Sequence, residues 1–166
     1  MATPNSHNEW QTPRELFNVL DGEFDFDLDA AASASNTLVA NYITQEMDAL
    51  VTPWLGNSVW CNPPYGRGNE GSASLLTSFI KRGYEQSIEH KNTVVMLIPA
   101  YTDPKYWRDY CMKAHEIRFL TGRLKFLENG TTKTSARFPS VLIIFKWFPG
   151  TCYKAPHIWL WDWRSK

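Results

Sequence analysis

Ser58-Val59-Trp60-Cys61-Asn62-Pro63-Pro64-Tyr65 opens as a short apolar strand and stops on a side-chain amide, two prolines and an aromatic ring. The prolines fix φ and remove two backbone donors, so the turn presents carbonyl oxygens without competing N–H groups from those positions. Such a ledge suits a planar amino group held by acceptors while a ring covers its face. The glycine-rich stretch that follows, Gly66-Arg67-Gly68-Asn69-Glu70-Gly71, formally has the spacing of a dinucleotide-binding fingerprint. That reading fails, because the ledge intervenes between strand and glycines and no acid closes a second strand at the proper distance.

On either side of the ledge the chain alternates strand and helix patterns. Upstream, residues 1–9 read as a flexible start. Thr12-Pro13 then reads as an N-cap followed by proline at the first helical position, with Leu16, Phe17 and Leu20 as the apolar stripe and Asp21-Gly22 as the stop. Phe24 to Leu28 alternates with period two and reads as a strand delivering Asp29, whereas 30–42 is ambiguous. Downstream, 72–90 has helical spacing through Leu75, Leu76, Phe79, Ile80 and Tyr84. Thr93 to Ile98 is a continuous apolar run, as expected of a strand buried on both faces. Asp103-Pro104 opens a helix to about Ala114, and Glu116 to Leu120 and Arg123 to Phe126 are strand-like. A polar loop, 128–135, leads to the strand Val141 to Phe145, and His157 to Trp163 reads as an edge strand. Strand–helix alternation followed by strands alone predicts an α/β sheet, mostly parallel with an antiparallel end, in a single domain over 1–166.

Composition narrows the function classes. A chain of 166 residues with 43% apolar content suits one domain with a real core. No apolar stretch is long enough to span a bilayer and the start is polar, so the expectation is a soluble cytoplasmic protein with no membrane partner. Three widely spaced cysteines, Cys61, Cys111 and Cys152, and four scattered histidines predict reduced thiols and no metal site. Net charge is zero, against a chain dominated by phosphate binding. Even so, 118–137 holds five basic residues (Arg118, Arg123, Lys125, Lys133, Arg137) against one acid, Glu128. Those residues are the best candidates for phosphate contacts if the ligand is a nucleic acid.

The ledge resembles the catalytic motif of methyltransferases that act on amino or amide nitrogens: Asp, Asn or Ser, then Pro-Pro, then Tyr, Phe or Trp. The chemistry explains the residue types. An exocyclic adenine nitrogen is a poor nucleophile because its lone pair is delocalised into the ring. Two acceptors, the Asn62 side-chain oxygen and the Pro63 carbonyl, can take its two hydrogens and bias it toward pyramidal geometry. Pro64 stiffens the turn, and Tyr65 would stack on a base extruded from the duplex. Asn62 need not ionise, so the chemistry is orientation and electrostatics.

A wider resemblance joins the ledge to Trp10-Gln11-Thr12-Pro13, Phe26-Asp27-Leu28-Asp29-Ala30-Ala31, Asp48-Ala49-Leu50 and Thr121-Gly122-Arg123-Leu124-Lys125-Phe126. In that order they are similar to the small phage-type DNA adenine-N6 methyltransferases, the Dam family of phages and prophages. The resemblance implies a Rossmann-like methyltransferase fold, S-adenosylmethionine as donor and adenine in double-stranded DNA as acceptor, with work in a host cytoplasm if phage-encoded. It places Asp29 and Ala30 in the donor-binding loop after the first strand. Thr12 and Pro13 fall over the donor's methionine end, and Asp48 borders its adenosyl group. Arg67, beside the target base, and Arg123, Lys125, Lys133, Arg137 and Phe138 are its candidates for DNA contact.

Two departures from the wider methyltransferase pattern stand out. The loop after Asp29 is Ala30-Ala31-Ala32-Ser33-Ala34, without the usual glycines. The ribose-binding acid is not evident, and Glu46 or Asp48 would have to serve. Other readings of the residues are the same chemistry on an RNA base or a protein glutamine, and an inactive DNA-binding module of the same fold. Target sequence and oligomeric state are not legible, and specificity would have to come from 66–71, 127–138 or a second subunit.

Overall fold

The computed structural model describes residues 10–66, 73–128, 131–132, 135–149 and 155–165. Helix α1 (Arg14–Phe24) is followed by the two-residue strand β1 (Leu28–Asp29) and then, after a long turn-rich segment, by β2 (Ser58–Cys61). Helix α2 (Leu75–Glu89), β3 (Thr93–Pro99) and the short helix α3 (Lys105–Asp109) come next. Strand β4 (Glu116–Leu120), a small hairpin of β5 (Leu127–Glu128) and β6 (Thr131–Thr132), β7 (Ser140–Lys146) and β8 (His157–Trp161) complete the order. Six strands form one sheet in the order β1-β2-β3-β7-β4-β8. The pairs β1–β2, β2–β3 and β4–β8 are parallel, and β7 runs antiparallel to both β3 and β4. The mostly parallel sheet expected from the sequence is therefore present, with its antiparallel strand inserted between β3 and β4 rather than at the rim.

Alternation along the strands builds two cores. On β3, Val94, Met96 and Ile98 join the cluster under α2 and α3, while Val95 and Leu97 join the cluster under α1. Trp60 is buried with the second group, as its place on β2 requires. Leu16, Phe17 and Leu20 dock α1 on that face, each worth about 1.5–3 kcal/mol when fully buried. On the opposite face Gly83 lets α2 lie close to the sheet, because a Cβ there would fall 2.7 Å from Met96 Sδ.

Several local expectations change. The strand expected over 24–28 is confined to Leu28–Asp29. Helix α1 runs past Gly22 to Phe24 and is capped by Asp25 in the left-handed region (φ 51°). Pro13 is its N-cap and Thr12 does not cap it, since the Thr12 hydroxyl is engaged elsewhere. The stretch 123–126 is extended but unpaired: Leu124 and Phe126 point into the core and Arg123 and Lys125 outward, so its alternation reports burial rather than a ladder. The helix expected over 103–114 breaks at Tyr110 into α3 and a 3-10 turn at Cys111–Lys113. Residues 1–9, Cys152 and most of the glycine-rich loop lie outside the described residues.

Candidate active site

The ledge leaves β2 at the carboxyl end of the parallel strands, the edge at which open α/β sheets bind ligands. Asn62 is half-buried there and both ends of its amide are engaged. Its Nδ2 donates to the Trp10 carbonyl at 2.8 Å and to Thr12 Oγ1 at 3.2 Å. A carbonyl can only accept, so this bond fixes which end of the amide is nitrogen. Oδ1 therefore faces Tyr65, whose hydroxyl donates to it at 2.8 Å and lies 3.0 Å from the Leu97 carbonyl. One phenolic proton cannot satisfy both acceptors fully, and Asn62 Oδ1 keeps a second lone pair. Burial, with a smaller contribution from nearby Cys61, pushes the Tyr65 hydroxyl well above the ordinary tyrosine range, so it stays a proton donor.

Two of the motifs that resemble one family in sequence, Trp10-Gln11-Thr12-Pro13 and Thr121-Gly122-Arg123-Leu124-Lys125-Phe126, meet the ledge in space. Trp10 stacks with both Phe126 (5.0 Å, 27°) and Phe138 (5.3 Å, 19°), which also touch each other, and its carbonyl holds Asn62. Gln11 and Leu127 exchange two backbone hydrogen bonds at 2.8 and 3.0 Å. Gly122, at φ 69°, provides the left-handed turn that sends 123–126 back toward Trp10. Tyr65 stands roughly perpendicular to Trp10, Phe126 and Phe138, its ring centroid 5.7–6.3 Å from theirs. These rings, with Gly66, Pro99, Tyr101, Tyr106 and Arg137, line a cavity of about 760 Å³. Asn62 lies behind Tyr65 and does not itself line it.

Asp29 sits on the other side of the ledge, at the end of β1 and in register with Trp60. The chain turns around its carboxylate. Ala31 N–H donates to Oδ1 at 3.2 Å, Leu38 N–H approaches Oδ2 at 3.5 Å, and Tyr42 bridges back to Asp29 in parallel. A buried carboxylate thus organises the loop that lacks glycine. Burial raises its pKa to about 6 against the opposing pull of those two N–H groups, and no cation offsets it. Ala30 is buried and donates to the Trp60 carbonyl.

The remaining candidates are more dispersed. Asp48 is exposed, takes φ 53° and accepts from Leu50 N–H at 3.0 Å within its own turn. It lines neither this cavity nor the second one, of about 470 Å³ between Asp27 and Gly56. Glu46 is exposed in the same turn. Arg123, Lys125 and Arg137 are exposed, whereas Phe138 is packed in the aromatic stack and half-buried. Arg118 has to leave the basic cluster. It is buried, bound to Glu23 and Glu116, and flanked by the rings of Phe24, Trp159 and Trp161. Arg67 and Lys133 lie outside the described residues. Tyr101 and Tyr106 were missed; their signal was position, just beyond the carboxyl end of a buried strand. Among the described residues no group of His, Cys, Asp or Glu is placed to hold a metal ion. None of their helices is long and apolar enough to cross a membrane.

Comparison with known proteins points to one family and one fold. Residues 2–157 match the family described as DNA N-6-adenine-methyltransferase (Dam). A DNA N-6-adenine-methyltransferase of Haemophilus phage HP1 is 36% identical over 143 residues, covering 82% of this chain and 78% of the relative. One of Escherichia phage T1 is 33% identical over 149 residues, covering 79% of this chain and 59% of that protein. In fold, the chain is similar to a putative class I S-adenosylmethionine-dependent methyltransferase from Listeria monocytogenes. The TM-score is 0.50 at 15% identity, over 86% of this chain and 52% of that one.

Proposed function

This chain belongs to the DNA N-6-adenine-methyltransferase (Dam) family, and on that basis we propose that it methylates the exocyclic nitrogen of adenine in double-stranded DNA. The observation that carries the reading is the clamped amide of Asn62, held at Nδ2 by Trp10 and Thr12 and at Oδ1 by Tyr65, with one lone pair of Oδ1 unspent. That oxygen and the Pro63 carbonyl accept the two hydrogens of the amino group. The nitrogen lone pair then faces away from both acceptors. Preorganised acceptors of this kind need no reorganisation as the reaction proceeds.

S-adenosylmethionine, the donor the family and fold imply, supplies an electrophilic methyl group on its sulfonium sulfur. The residues present fit it. Asp29 is a buried carboxylate whose two protein hydrogen bonds are long and whose pKa is raised by burial. An ammonium group of the donor is the partner it lacks. Thr12, whose hydroxyl accepts from Asn62, and Pro13, the N-cap of α1, close over the same end in this reading. In this reading donor and base lie on opposite sides of β2, Asp29 holding the donor and the aromatic cavity the base, whose amino group has to reach past Tyr65 to Asn62, since neither Asn62 nor Pro63 lines the cavity.

The exposed Arg123, Lys125 and Arg137, the last on the cavity rim, supply phosphate contacts next to an extruded base. Free Cys61 and Cys111 and a DNA substrate both fit work in a cytoplasm. The test is incubation with donor and unmethylated DNA, then digestion to nucleosides and mass spectrometry. N6-methyladenine is expected, with a loss of at least about a hundredfold in Asn62→Ala. Methylcytosine, or methyladenine at full rate in the variant, contradicts the assignment.

A further inference from the structure

Against the aromatic cavity sits a residue whose polar atom has no partner among the described residues. Tyr106, at the second position of α3, is 5% exposed and lines the cavity. Its hydroxyl is buried and meets no hydrogen-bond partner among the described residues. A buried hydroxyl left unpaired destabilises a fold unless a ligand completes it. Burial first, then neighbouring Cys111, Asp103 and Tyr101, pushes its ionisation far above the ordinary tyrosine range, so the oxygen keeps its proton and can donate. Around it the walls are rings: Trp10, Tyr65, Tyr101, Phe126 and Phe138. A flat heteroaromatic ring fits such walls, and its in-plane nitrogens then need a donor.

Resting on the function proposed above, we infer that the Tyr106 hydroxyl donates a hydrogen bond to a ring nitrogen of the extruded adenine. Tyr106 thereby reads the ring while Asn62 and Pro63 hold the amino group. Adenine accepts at N1, bonded to its amino-bearing carbon, and at N7, on the imidazole ring beside the amino group. A bond at N1 rejects guanine and thymine, which carry protons at N1 and N3, and a bond at N7 rejects the pyrimidines, which have no such nitrogen. Tyr106 is thus a specificity-determining contact supplied by the segment after β3, independent of the ledge on β2.

The experiment compares the wild-type protein with Tyr106→Phe, which removes one oxygen and keeps the ring. The variant is expected to unfold at the same or a higher temperature, because the deleted atom has no partner in the described fold, and to bind donor with unchanged affinity by calorimetry. Its kcat/KM on DNA falls about ten- to a hundredfold. DNA carrying 1-deazaadenine or 7-deazaadenine at the methylated position separates the two acceptors. One analogue lowers wild-type kcat/KM by a similar factor and leaves Tyr106→Phe unaffected, because the bond is already gone. Wild-type kcat/KM in Tyr106→Phe, a lowered unfolding temperature, or losses that multiply with both analogues overturns the inference. A wild-type protein that makes no N6-methyladenine overturns the proposed function itself, a result distinct from any of these.

Discussion

Two polar clusters tie distant parts of this chain together, and they are built on opposite rules. Around Arg118, every strong group is satisfied. The guanidinium binds Glu23 (2.7 Å to Oε2) and Glu116 (2.9 Å to Oε1), and Trp159 donates its indole N–H to Glu116. Three rings flank the charge and little of it reaches water. The cluster locks α1 against β4 and β8 and has nothing left to offer a ligand. Around Asn62 the groups are clamped just as firmly but incompletely paired. Asn62 Oδ1 keeps a lone pair, the Tyr65 proton is shared between two acceptors, Asp29 has two long hydrogen bonds, and Tyr106 has none among the described residues. Rigid placement with unspent bonding capacity is what separates a site from a brace.

The contrast can be broken from either side. The largest stability effect belongs to the brace: Arg118→Ala leaves two carboxylates without their cation and should cost about 3 kcal/mol or more. The check is denaturant unfolding, with donor affinity per folded molecule unchanged. A loss of donor affinity in the folded fraction would mean that the two clusters are coupled.

Next in size is Asp29→Asn. The folded pKa is raised from the usual 3.8 to about 6, so between those values the folded protein binds more protons than the unfolded chain. Stability without donor is therefore fully present at low pH and falls as pH rises from about 4 to about 6, by about 3 kcal/mol in total. Asp29→Asn should flatten that dependence, raise the unfolding temperature near neutral pH, and weaken donor binding. A variant less stable than wild type at neutral pH, with donor affinity intact, would make Asp29 part of a brace after all. Tyr65→Phe should have the smallest effect. Losing a hydroxyl that shares its proton between Asn62 and Leu97 costs about 1 kcal/mol and slows turnover several-fold, with donor affinity unchanged.

The same distinction explains what could be read in advance. Strands β2, β3 and β7 were legible because burial on two faces leaves apolar runs, β4 as a strand-like stretch ended by Thr121-Gly122, and α1 and α2 because their stripes keep helical spacing. The ledge was legible because Pro-Pro flanked by an amide and an aromatic ring has few purely structural uses. The unpaired 123–126 segment misled, since alternation reports burial and not the presence of a neighbouring strand. Arg118 misled because a count of charges carries no information about the acids that meet them from Glu23, far back in the chain. Tyr106 was invisible for a related reason. A missing hydrogen-bond partner is a property of packing, and no local pattern encodes it.

The central claim is that a clamped amide with one free lone pair grips the amino group of an extruded adenine. The most direct measurement is a structure of the protein with DNA and a non-transferable donor analogue. The account predicts the adenine amino nitrogen at about 3 Å from both Asn62 Oδ1 and the Pro63 carbonyl, with the analogue's ammonium on Asp29. An adenine seated in the aromatic cavity with its amino group turned away from Asn62, or an analogue bound without contact to Asp29, would contradict it.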